Sequence, residues 1–173
     1  MDIRLIISDV DGVWTDGSIT YGEHSEIKTF NVRDGLGAKL AQRAGIAVAL
    51  LTSRRSLAVE RRAQELGIVE VHQGASDKLL EAERLAVRLD IPFTQIVYIG
   101  DDLPDLAPML RAAISAAPAD AAPEVLAAAT WKLRTKGGHG VFRELVERLL
   151  RERGAWEAII QEFTSGRPEA ASI

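Results

Sequence analysis

Residues 3–12, with the sequence IRLIISDVDG, carry the pattern that decides the fold. Residues 3–8 form an almost continuous apolar run, which is typical of a strand buried on both faces of a sheet. The run ends at Asp9 and Asp11. In open parallel sheets, ligands bind beyond the carboxyl ends of the strands. The stretch therefore predicts a buried strand that brings two carboxylates to such a binding edge.

The same alternation of short apolar runs and helical stretches continues along the chain. Further strands are predicted at 46–51, 68–71, 96–99 and 113–116. Helices are predicted at 35–44, 57–66, 77–89, 106–112 and 141–153. Strands alternating with helices of about 10–15 residues indicate a doubly wound α/β fold with a parallel sheet. Residues 18–32 break this alternation, because SITY, GEHS and EIKTFNV predict a β-hairpin with a four-residue connection.

Composition limits the class of protein. The 173 residues suit one domain, expected over residues 1–163, with a loose tail at 164–173. A net charge of −4 disfavours a nucleic-acid partner. The absence of cysteine excludes a disulfide scaffold, a thiol nucleophile and a zinc–thiolate site. The sequence shows neither a membrane-spanning run nor a secretory signal, so we expect a cytoplasmic protein with no membrane partner.

Polar groups follow each of the first four strands of the predicted sheet. They are Asp9 and Asp11, then Thr52, Ser53, Arg54 and Arg55, then Lys78, and last Asp101, Asp102 and Asp105. A lone Asp after a strand is more often a turn former or a helix cap, but here every strand end carries compatible chemistry. Two carboxylates about 4 Å apart repel by about 4 kcal/mol at an effective dielectric constant near 20, so the cluster needs a cation. Oxygen ligands without His or Cys suit Mg²⁺.

This set of groups suits phosphoryl transfer. Asp9 is a candidate nucleophile toward phosphorus, which predicts an aspartyl-phosphate intermediate. Asp11, two residues later, can protonate the leaving alkoxide and then deprotonate the hydrolytic water. Thr52 can hydrogen-bond a phosphoryl oxygen, and Lys78 can neutralise charge.

Four motifs carry a resemblance to a known superfamily. DVDGVWTDG (9–17), Thr52, Lys78 and GDDLPD (100–105) resemble, in the right order, the motifs of the haloacid dehalogenase phosphatases. The resemblance implies that Asp9 is the nucleophile and Asp11 the general acid/base. It also implies that Thr52, with the adjacent Ser53, binds phosphate, and that Lys78 holds both phosphate and nucleophile.

The resemblance also implies a metal site. Mg²⁺ would be held by Asp9, by Asp101 and by the main-chain carbonyl of Asp11. Asp105 would orient Lys78. Asp102 would support the metal site or be a further metal contact.

A response-regulator receiver domain is the main competing interpretation. It also gathers acidic residues, Thr or Ser, Lys and Mg²⁺ around a phosphorylated Asp. Its phospho-acceptor Asp follows the third strand, however, and there this chain offers only Asp77. The acidic pair in the DVDG sequence after the first strand favours the phosphatase.

The spacing of the motifs leaves no room for a cap domain, the element that usually sets substrate range in this superfamily. Forty residues separate Asp11 from Thr52, and 22 separate Lys78 from Asp101. Helices, strands and the hairpin already use both intervals, whereas a domain needs roughly 50 residues. We therefore expect an open site that a neighbouring subunit covers.

Longer stretches resemble one family more closely. DVDGVWTDGSITYGEHSEIKTFNVRDGLGAKL, LTSRRS, HQGASDK, YIGDDLPDL and GGHGVFREL are similar to 3-deoxy-D-manno-octulosonate 8-phosphate phosphatases. That resemblance covers about residues 3–150. It implies a phosphorylated sugar acid as substrate, a capless homotetramer, and release of the eight-carbon sugar acid used to build lipopolysaccharide.

Substrate-binding residues are expected among the arginines and near the GGHG sequence at 137–140. Arg54 and Arg33 suit a substrate with a carboxylate and a phosphate, because a guanidinium forms forked hydrogen bonds. Gly138 belongs to a segment that is either a flexible connector or, by the resemblance, one that reaches an adjacent subunit's site.

Two residues depart from the family pattern. Ser53 stands where Gly is common, and Trp14 stands where Leu is usual and should add bulk near the nucleophile. Arg54 favours the eight-carbon substrate, because relatives acting on a nine-carbon 9-phosphate tend to carry an acidic residue there. A nine-carbon substrate stays the alternative.

Overall fold

Buried apolar runs form a parallel sheet in the computed structural model, which describes residues 2–23 and 26–166. The strands are β1 Leu5–Ser8, β2 Thr20–Tyr21, β3 Glu26–Ile27, β4 Ala47–Thr52, β5 Glu70–Gln73, β6 Ile96–Ile99, β7 Ile114–Ala117 and β8 Trp131–Lys132. The α-helices are α1 Val32–Arg43, α2 Leu57–Leu66, α3 Lys78–Leu89, α4 Leu106–Arg111, α5 Pro123–Ala128, α6 Val141–Glu152 and α7 Trp156–Thr164. Two 3₁₀ turns lie at Phe93–Gln95 and Leu103–Asp105.

The six main strands are all parallel, in the order β5-β4-β1-β6-β7-β8. Strand β1 is central, and the chain builds outward on one side through β4 and β5 and on the other through β6, β7 and β8. The carboxyl end of β1 therefore lies at the topological switch point between β4 and β6, where such sheets bind ligands. The predicted doubly wound α/β fold is confirmed.

Helices cover both faces of this sheet. Successive side chains of a strand point to opposite faces, so each buried strand packs against helices on both sides. Ile6 packs on the face covered by α1, α2 and α6. Leu5 and Ile7 pack on the face covered by α3, α4 and α5. Burial on both faces explains why these strands are continuously apolar rather than alternating.

The predicted hairpin is confirmed. Strands β2 and β3 pair antiparallel, with Thr20 opposite Ile27 and Tyr21 opposite Glu26. The pairing leaves the four-residue connection 22–25, of which residues 24 and 25 lie outside the described part of the chain. In residues 2–23 and 26–166 no separate cap domain is present.

Three elements differ from the sequence prediction. The third strand of the main sheet was expected at 68–71, but β5 begins at Glu70 and pairs Gln73 with Thr52. Gly67, at φ 68°, ends α2 in a left-handed turn. Ile68 after it is buried in the core but precedes the first residue of β5. Strand β8 and helix α7 were not predicted.

The end of the domain is described only in part. Helix α7 runs to Thr164, one residue past the predicted boundary, and residues 167–173 of the expected tail lie outside the described residues. The helices of the described ranges include none whose length and apolar character would let it cross a membrane.

Candidate active site

The carboxyl ends of three neighbouring strands place the first site residues. Asp9 follows β1, Thr52 ends β4, and Asp101 follows β6 after Gly100. Strand β1 lies between β4 and β6, so these groups meet at one edge of the sheet. They line a cavity of about 270 Å³ together with Asp11, Gly17, Ser53, Arg54, Lys78, Asp102, Pro104 and Asp105.

A buried lysine links two of the carboxylates. Lys78 is the first residue of α3, whose N-cap Asp77 accepts a hydrogen bond from the Leu80 amide at 3.0 Å. The Lys78 ammonium lies 2.8 Å from Asp9 Oδ2 and 2.7 Å from Asp105 Oδ1. Burial alone would lower the pKa of Lys78, but the two carboxylates outweigh it and raise that pKa above its ordinary value. Lys78 is therefore a fixed cation in the site.

Asp105 is fully engaged by donors. Its Oδ1 accepts hydrogen bonds from Lys78 and from the Tyr98 hydroxyl at 2.8 Å. Its Oδ2 accepts from the amides of Asp101 at 3.3 Å and Asp102 at 3.4 Å. A carboxylate with four donors and no exposure is held rigidly, so Asp105 can orient Lys78 as expected.

The acidic groups at this edge crowd one another. Carboxylate oxygens of Asp9, Asp101 and Asp105 lie within 4.8 Å of one another. Burial, followed by repulsion from Asp105, raises the pKa of Asp9 to about 8 against the opposing effect of Lys78. The same two causes raise the pKa of Asp101 to about 7. Burial and repulsion from Asp105 both disfavour the ionised carboxylates, and a divalent cation bound here would offset these effects.

These donors fit Mg²⁺. The donor set consists of oxygen atoms, which Mg²⁺ prefers. Because all four hydrogen-bonding positions of Asp105 are used, Asp9 and Asp101 are the side chains left to hold the ion. Gly12 also fits such a site, since a Cβ there would lie 1.9 Å from Asp101 Oδ2 and its φ is +84°. Only glycine lets the loop after β1 pass this close to Asp101.

Asp11 is held on one side only. Its Oδ1 accepts hydrogen bonds from Lys28 and, at 3.3 Å, from the Thr15 hydroxyl. Its Oδ2 is buried without a hydrogen-bond partner, and Arg54 Nε lies 4.0 Å away. One oxygen of this cavity-lining carboxylate is thus anchored, and the other has no hydrogen-bond partner.

Thr52 and Ser53, the predicted phosphate ligands, and Asp102, predicted to support the metal site, all line the cavity. Thr52 is buried, and its Oγ1 accepts a hydrogen bond from the Arg54 amide at 3.3 Å. Ser53 and Asp102 are exposed at the cavity rim. Asp102 also caps the Leu103–Asp105 turn by accepting from the Leu103 amide at 2.8 Å.

Arg54 reaches the cavity already paired. Its guanidinium donates to Glu26 Oε2 of the hairpin at 2.8 Å and is 41% exposed. Hydrogen bonding to Glu26, with the charge of Glu26 adding to it, raises the pKa of Arg54 above its usual value. A guanidinium has five N–H donors, so Arg54 can bind a second carboxylate while it stays paired with Glu26.

Arg33 and Gly138 do not line this cavity. Arg33, the second residue of α1, lines a separate groove of about 990 Å³ beside α6 with His139 and Arg143. Gly138 packs against the loop after β1: its amide donates to the Val13 carbonyl at 2.8 Å. A Cβ at Gly138 would lie 2.5 Å from the Asp16 amide nitrogen. The GGHG segment therefore packs closely against the loop after β1.

Trp14 does not crowd the nucleophile as its bulk suggested. Its ring packs in the core 4.5 Å from the Phe142 ring, and its indole nitrogen donates to Ser8 Oγ at 2.9 Å. Ser8 Oγ in turn donates to the Asp9 carbonyl at 2.7 Å. The larger side chain is directed into the core and leaves the cavity free.

Sequence reasoning missed three residues that contact the site: Tyr98, Glu26 and Lys28. Tyr98 carried a usable signal, because a tyrosine inside a buried apolar strand needs a partner for its hydroxyl. Glu26 and Lys28 alternate along the hairpin and so share one face, but nothing in the pattern says what that face meets.

Comparison with known proteins agrees with this geometry. A family model for haloacid dehalogenase-like hydrolases matches residues 52–145. The chain is 45% identical over 150 residues to a 3-deoxy-D-manno-octulosonate 8-phosphate phosphatase of Yersinia pestis, a match that covers 86% of this chain and 80% of that protein.

Solved structures give the same result. One is the 3-deoxy-D-manno-octulosonate 8-phosphate phosphatase of Moraxella catarrhalis in complex with a magnesium ion, a phosphate ion and a KDO molecule. It has a TM-score of 0.91 and 37% identity, and the match covers 94% of both chains. A second is the cobalt-bound Haemophilus influenzae phosphatase, with a TM-score of 0.87 and 40% identity over 90% of this chain and 91% of that one. The chain belongs to the haloacid dehalogenase-like hydrolases and, within them, to the family of 3-deoxy-D-manno-octulosonate 8-phosphate phosphatases.

Proposed function

We propose that this enzyme is a Mg²⁺-dependent phosphatase that hydrolyses 3-deoxy-D-manno-octulosonate 8-phosphate. The products are phosphate and the free eight-carbon sugar acid used for lipopolysaccharide biosynthesis. The observation that carries the proposal is the buried Lys78 ammonium between Asp9 and Asp105, next to Asp101 at the switch point of the sheet. Membership of the family supports the choice of substrate.

In the first step, a carboxylate oxygen of Asp9 attacks phosphorus and the bond from phosphorus to the sugar oxygen breaks. Asp11 Oδ2, which is buried without a partner, gives its proton to the leaving sugar oxygen. The product is an aspartyl-phosphate at Asp9 and the free sugar acid. In the second step, Asp11 takes a proton from water, the water oxygen attacks phosphorus, and phosphate leaves Asp9 as a carboxylate.

Other residues of the cavity bind the transferring phosphoryl group. Thr52 and Ser53 offer hydroxyl donors, and Lys78 offers a positive charge that Asp105 and Tyr98 hold in place. Asp9, Asp101 and the main-chain carbonyl of Asp11 would hold Mg²⁺. When bound, the ion supplies positive charge that favours ionised Asp9 and offsets charge on the phosphoryl oxygens.

Arg54 is the proposed ligand of the substrate's carboxylate. It lines the cavity, is partly exposed, pairs with Glu26, and is the one arginine among the cavity-lining residues of the described chain. Pairing with Glu26 fixes its position before substrate arrives, which lowers the ordering cost of binding.

We further propose that a homotetramer completes the site. The hairpin exposes Tyr21 by 79% and Ile27 by 53%, and a two-stranded ribbon is marginal alone. Arg33 and Gly138 lie outside the cavity of their own chain, so any contact with substrate would come through a neighbouring subunit. The cytoplasmic location expected from the sequence stays a prediction.

A phosphate-release assay tests the substrate directly. The panel contains the eight-carbon 8-phosphate, a nine-carbon 9-phosphate, simple hexose phosphates and p-nitrophenyl phosphate, each with Mg²⁺ and with EDTA. We expect the highest kcat/KM for the eight-carbon ester and no turnover in EDTA, with recovery on added Mg²⁺. A higher kcat/KM for the nine-carbon ester would show that this ester, and not the eight-carbon one, is the substrate. Phosphorylation of the chain without release of sugar from any ester would contradict the proposal that it is a phosphatase.

A further inference from the structure

A buried lysine of the hairpin contacts the active site from outside the known motifs. The Lys28 side chain is 0% exposed. Its ammonium donates to Asp11 Oδ1 and lies 2.6 Å from Glu26 Oε1. Burying an ammonium is unfavourable unless close carboxylates pair with it, and here two of them do so. Lys28 is therefore held in a buried ion-pair network with Asp11 and Glu26, unlike a solvated surface lysine.

Lys28 is the strong anchor of Asp11. The other hydrogen bond to this carboxylate comes from Thr15 at 3.3 Å, near the long end of the range for a hydroxyl donor. Arg54 Nε, at 4.0 Å from Oδ2, is beyond hydrogen-bond distance. Without Lys28, Asp11 would keep one long hydrogen bond, from Thr15, and the 4.0 Å ion pair with Arg54.

The same contacts tie Asp11 to the hairpin. Glu26 bridges Lys28 through Oε1 and Arg54 through Oε2. Glu26 belongs to β3 and Lys28 follows that strand. The placement of the acid/base carboxylate thus depends on a segment that lies 17 residues away in the sequence.

We propose that Lys28 is a positioning residue that fixes the Asp11 carboxylate for proton transfer to the leaving group. The inference rests on the proposed function for the role of Asp11. Lys28 anchors Oδ1 and so leaves Oδ2 as the oxygen that faces the reaction. Glu26 holds Lys28 in turn, so an ordered hairpin is a condition for acid catalysis.

The leaving-group dependence of the rate tests this role. General acid catalysis matters most when the leaving oxygen is a poor leaving group. For wild type, Lys28→Met and Lys28→Arg, kcat/KM is measured with a series of phenyl phosphates from unsubstituted to p-nitro. We expect Lys28→Met to lose at least about tenfold more on phenyl phosphate than on p-nitrophenyl phosphate, since general acid catalysis is typically worth 10²- to 10⁴-fold. Lys28→Arg should recover part of that difference.

A matched control and two checks make the outcome decisive. Lys132→Met removes an exposed lysine from the edge strand β8 and should leave the series unchanged. Thermal unfolding and sedimentation show whether Lys28→Met keeps its fold and assembly. Equal losses on every ester, or no loss, would overturn the inference. A wild type active on phenyl phosphates but not on the sugar-acid ester would refute the proposed substrate alone, because the comparison of the variants would stand.

Discussion

At the scale of single residues, the site combines polar groups that follow the strands with two charged side chains of the hairpin, Glu26 and Lys28. Asp9, Thr52 and Asp101 meet because the sheet order places their strands side by side. Lys28 and Glu26 could not be predicted in this way, because they come from the hairpin. Its position over the loop after β1 depends on tertiary packing that no periodicity encodes.

Arg54→Ala should impair binding of the sugar acid more than catalysis. The guanidinium lies at the rim and pairs with Glu26, so it is placed to meet a distal carboxylate. We expect KM for the sugar-acid phosphate to rise by about tenfold or more, as for the loss of a charged hydrogen bond worth about 1.5–3 kcal/mol. KM for p-nitrophenyl phosphate, which has no carboxylate, should change by less. Arg55→Ala, an exposed neighbour outside this cavity, is the control. Equal losses on both esters would assign Arg54 to phosphate or to structure.

At the scale of elements, strands with strong local signals were predicted to within a residue or two, and exceptions have physical causes. Strand β6 was predicted at its observed bounds because four buried apolar residues precede Gly100. Strand β8 has only two residues, which are too few to show a hydrophobic pattern in the sequence. It forms through pairing with β7. Helix α7 follows Gly154, whose φ of 68° ends α6 and starts a new direction. A glycine in that place does not predict whether a helix resumes.

One buried carboxylate joins two helices and should give stability a pH dependence. Asp34 of α1 accepts a hydrogen bond from the Arg143 amide in the first turn of α6 at 2.8 Å, and the Gly140 and Phe142 amides and Arg62 of α2 also face it. Burial outweighs these groups and raises the pKa of Asp34 from 3.8 to about 6. Between these values the folded chain holds a proton that the unfolded chain has released. The free energy of unfolding should therefore fall as pH rises from about 4 to 6, by at most about 3 kcal/mol from this group.

Asp34→Asn isolates this contribution. Asn keeps an oxygen acceptor for the Arg143 amide but cannot ionise. Denaturant unfolding from pH 4 to pH 7 should show the variant gaining about 2–3 kcal/mol on wild type as pH rises. Glu157→Gln, at an exposed position of α7, should show no such gain. Parallel curves for Asp34→Asn and wild type would contradict the assignment.

At the scale of the whole molecule, no separate cap domain covers the active site within residues 2–23 and 26–166, and the hairpin exposes apolar side chains. Ser53 and Asp102 are exposed at the cavity rim, while Tyr21 and Ile27 expose apolar surface. A sequence can show that no cap domain fits by counting the residues between motifs, as it did here. It cannot show which surfaces of a second subunit supply the contacts, because those depend on the geometry of assembly.

Ile27→Glu should break the proposed tetramer. A charge on the exposed face of β3 would have to be desolvated in an interface built from hairpins. We expect smaller species in sedimentation velocity and a lower kcat/KM for the sugar-acid phosphate. The control is Val69→Glu, which changes an apolar residue that is 86% exposed and lies outside the hairpin. It should leave the sedimentation and kcat/KM unchanged. A wild-type chain that sediments as a fully active monomer would refute the assembly.

The covalent state of Asp9 during turnover shows whether hydrolysis passes through an aspartyl-phosphate at this residue. The enzyme with Mg²⁺ is mixed with 3-deoxy-D-manno-octulosonate 8-phosphate, quenched in acid within the first turnovers, and digested for peptide mass spectrometry. We expect one phosphoryl group on Asp9 in wild type, none in EDTA, and neither phosphorylation nor sugar release in a folded Asp9→Asn variant. Release of the sugar acid by Asp9→Asn at the wild-type rate, or phosphorylation at another residue during turnover, would contradict this mechanism.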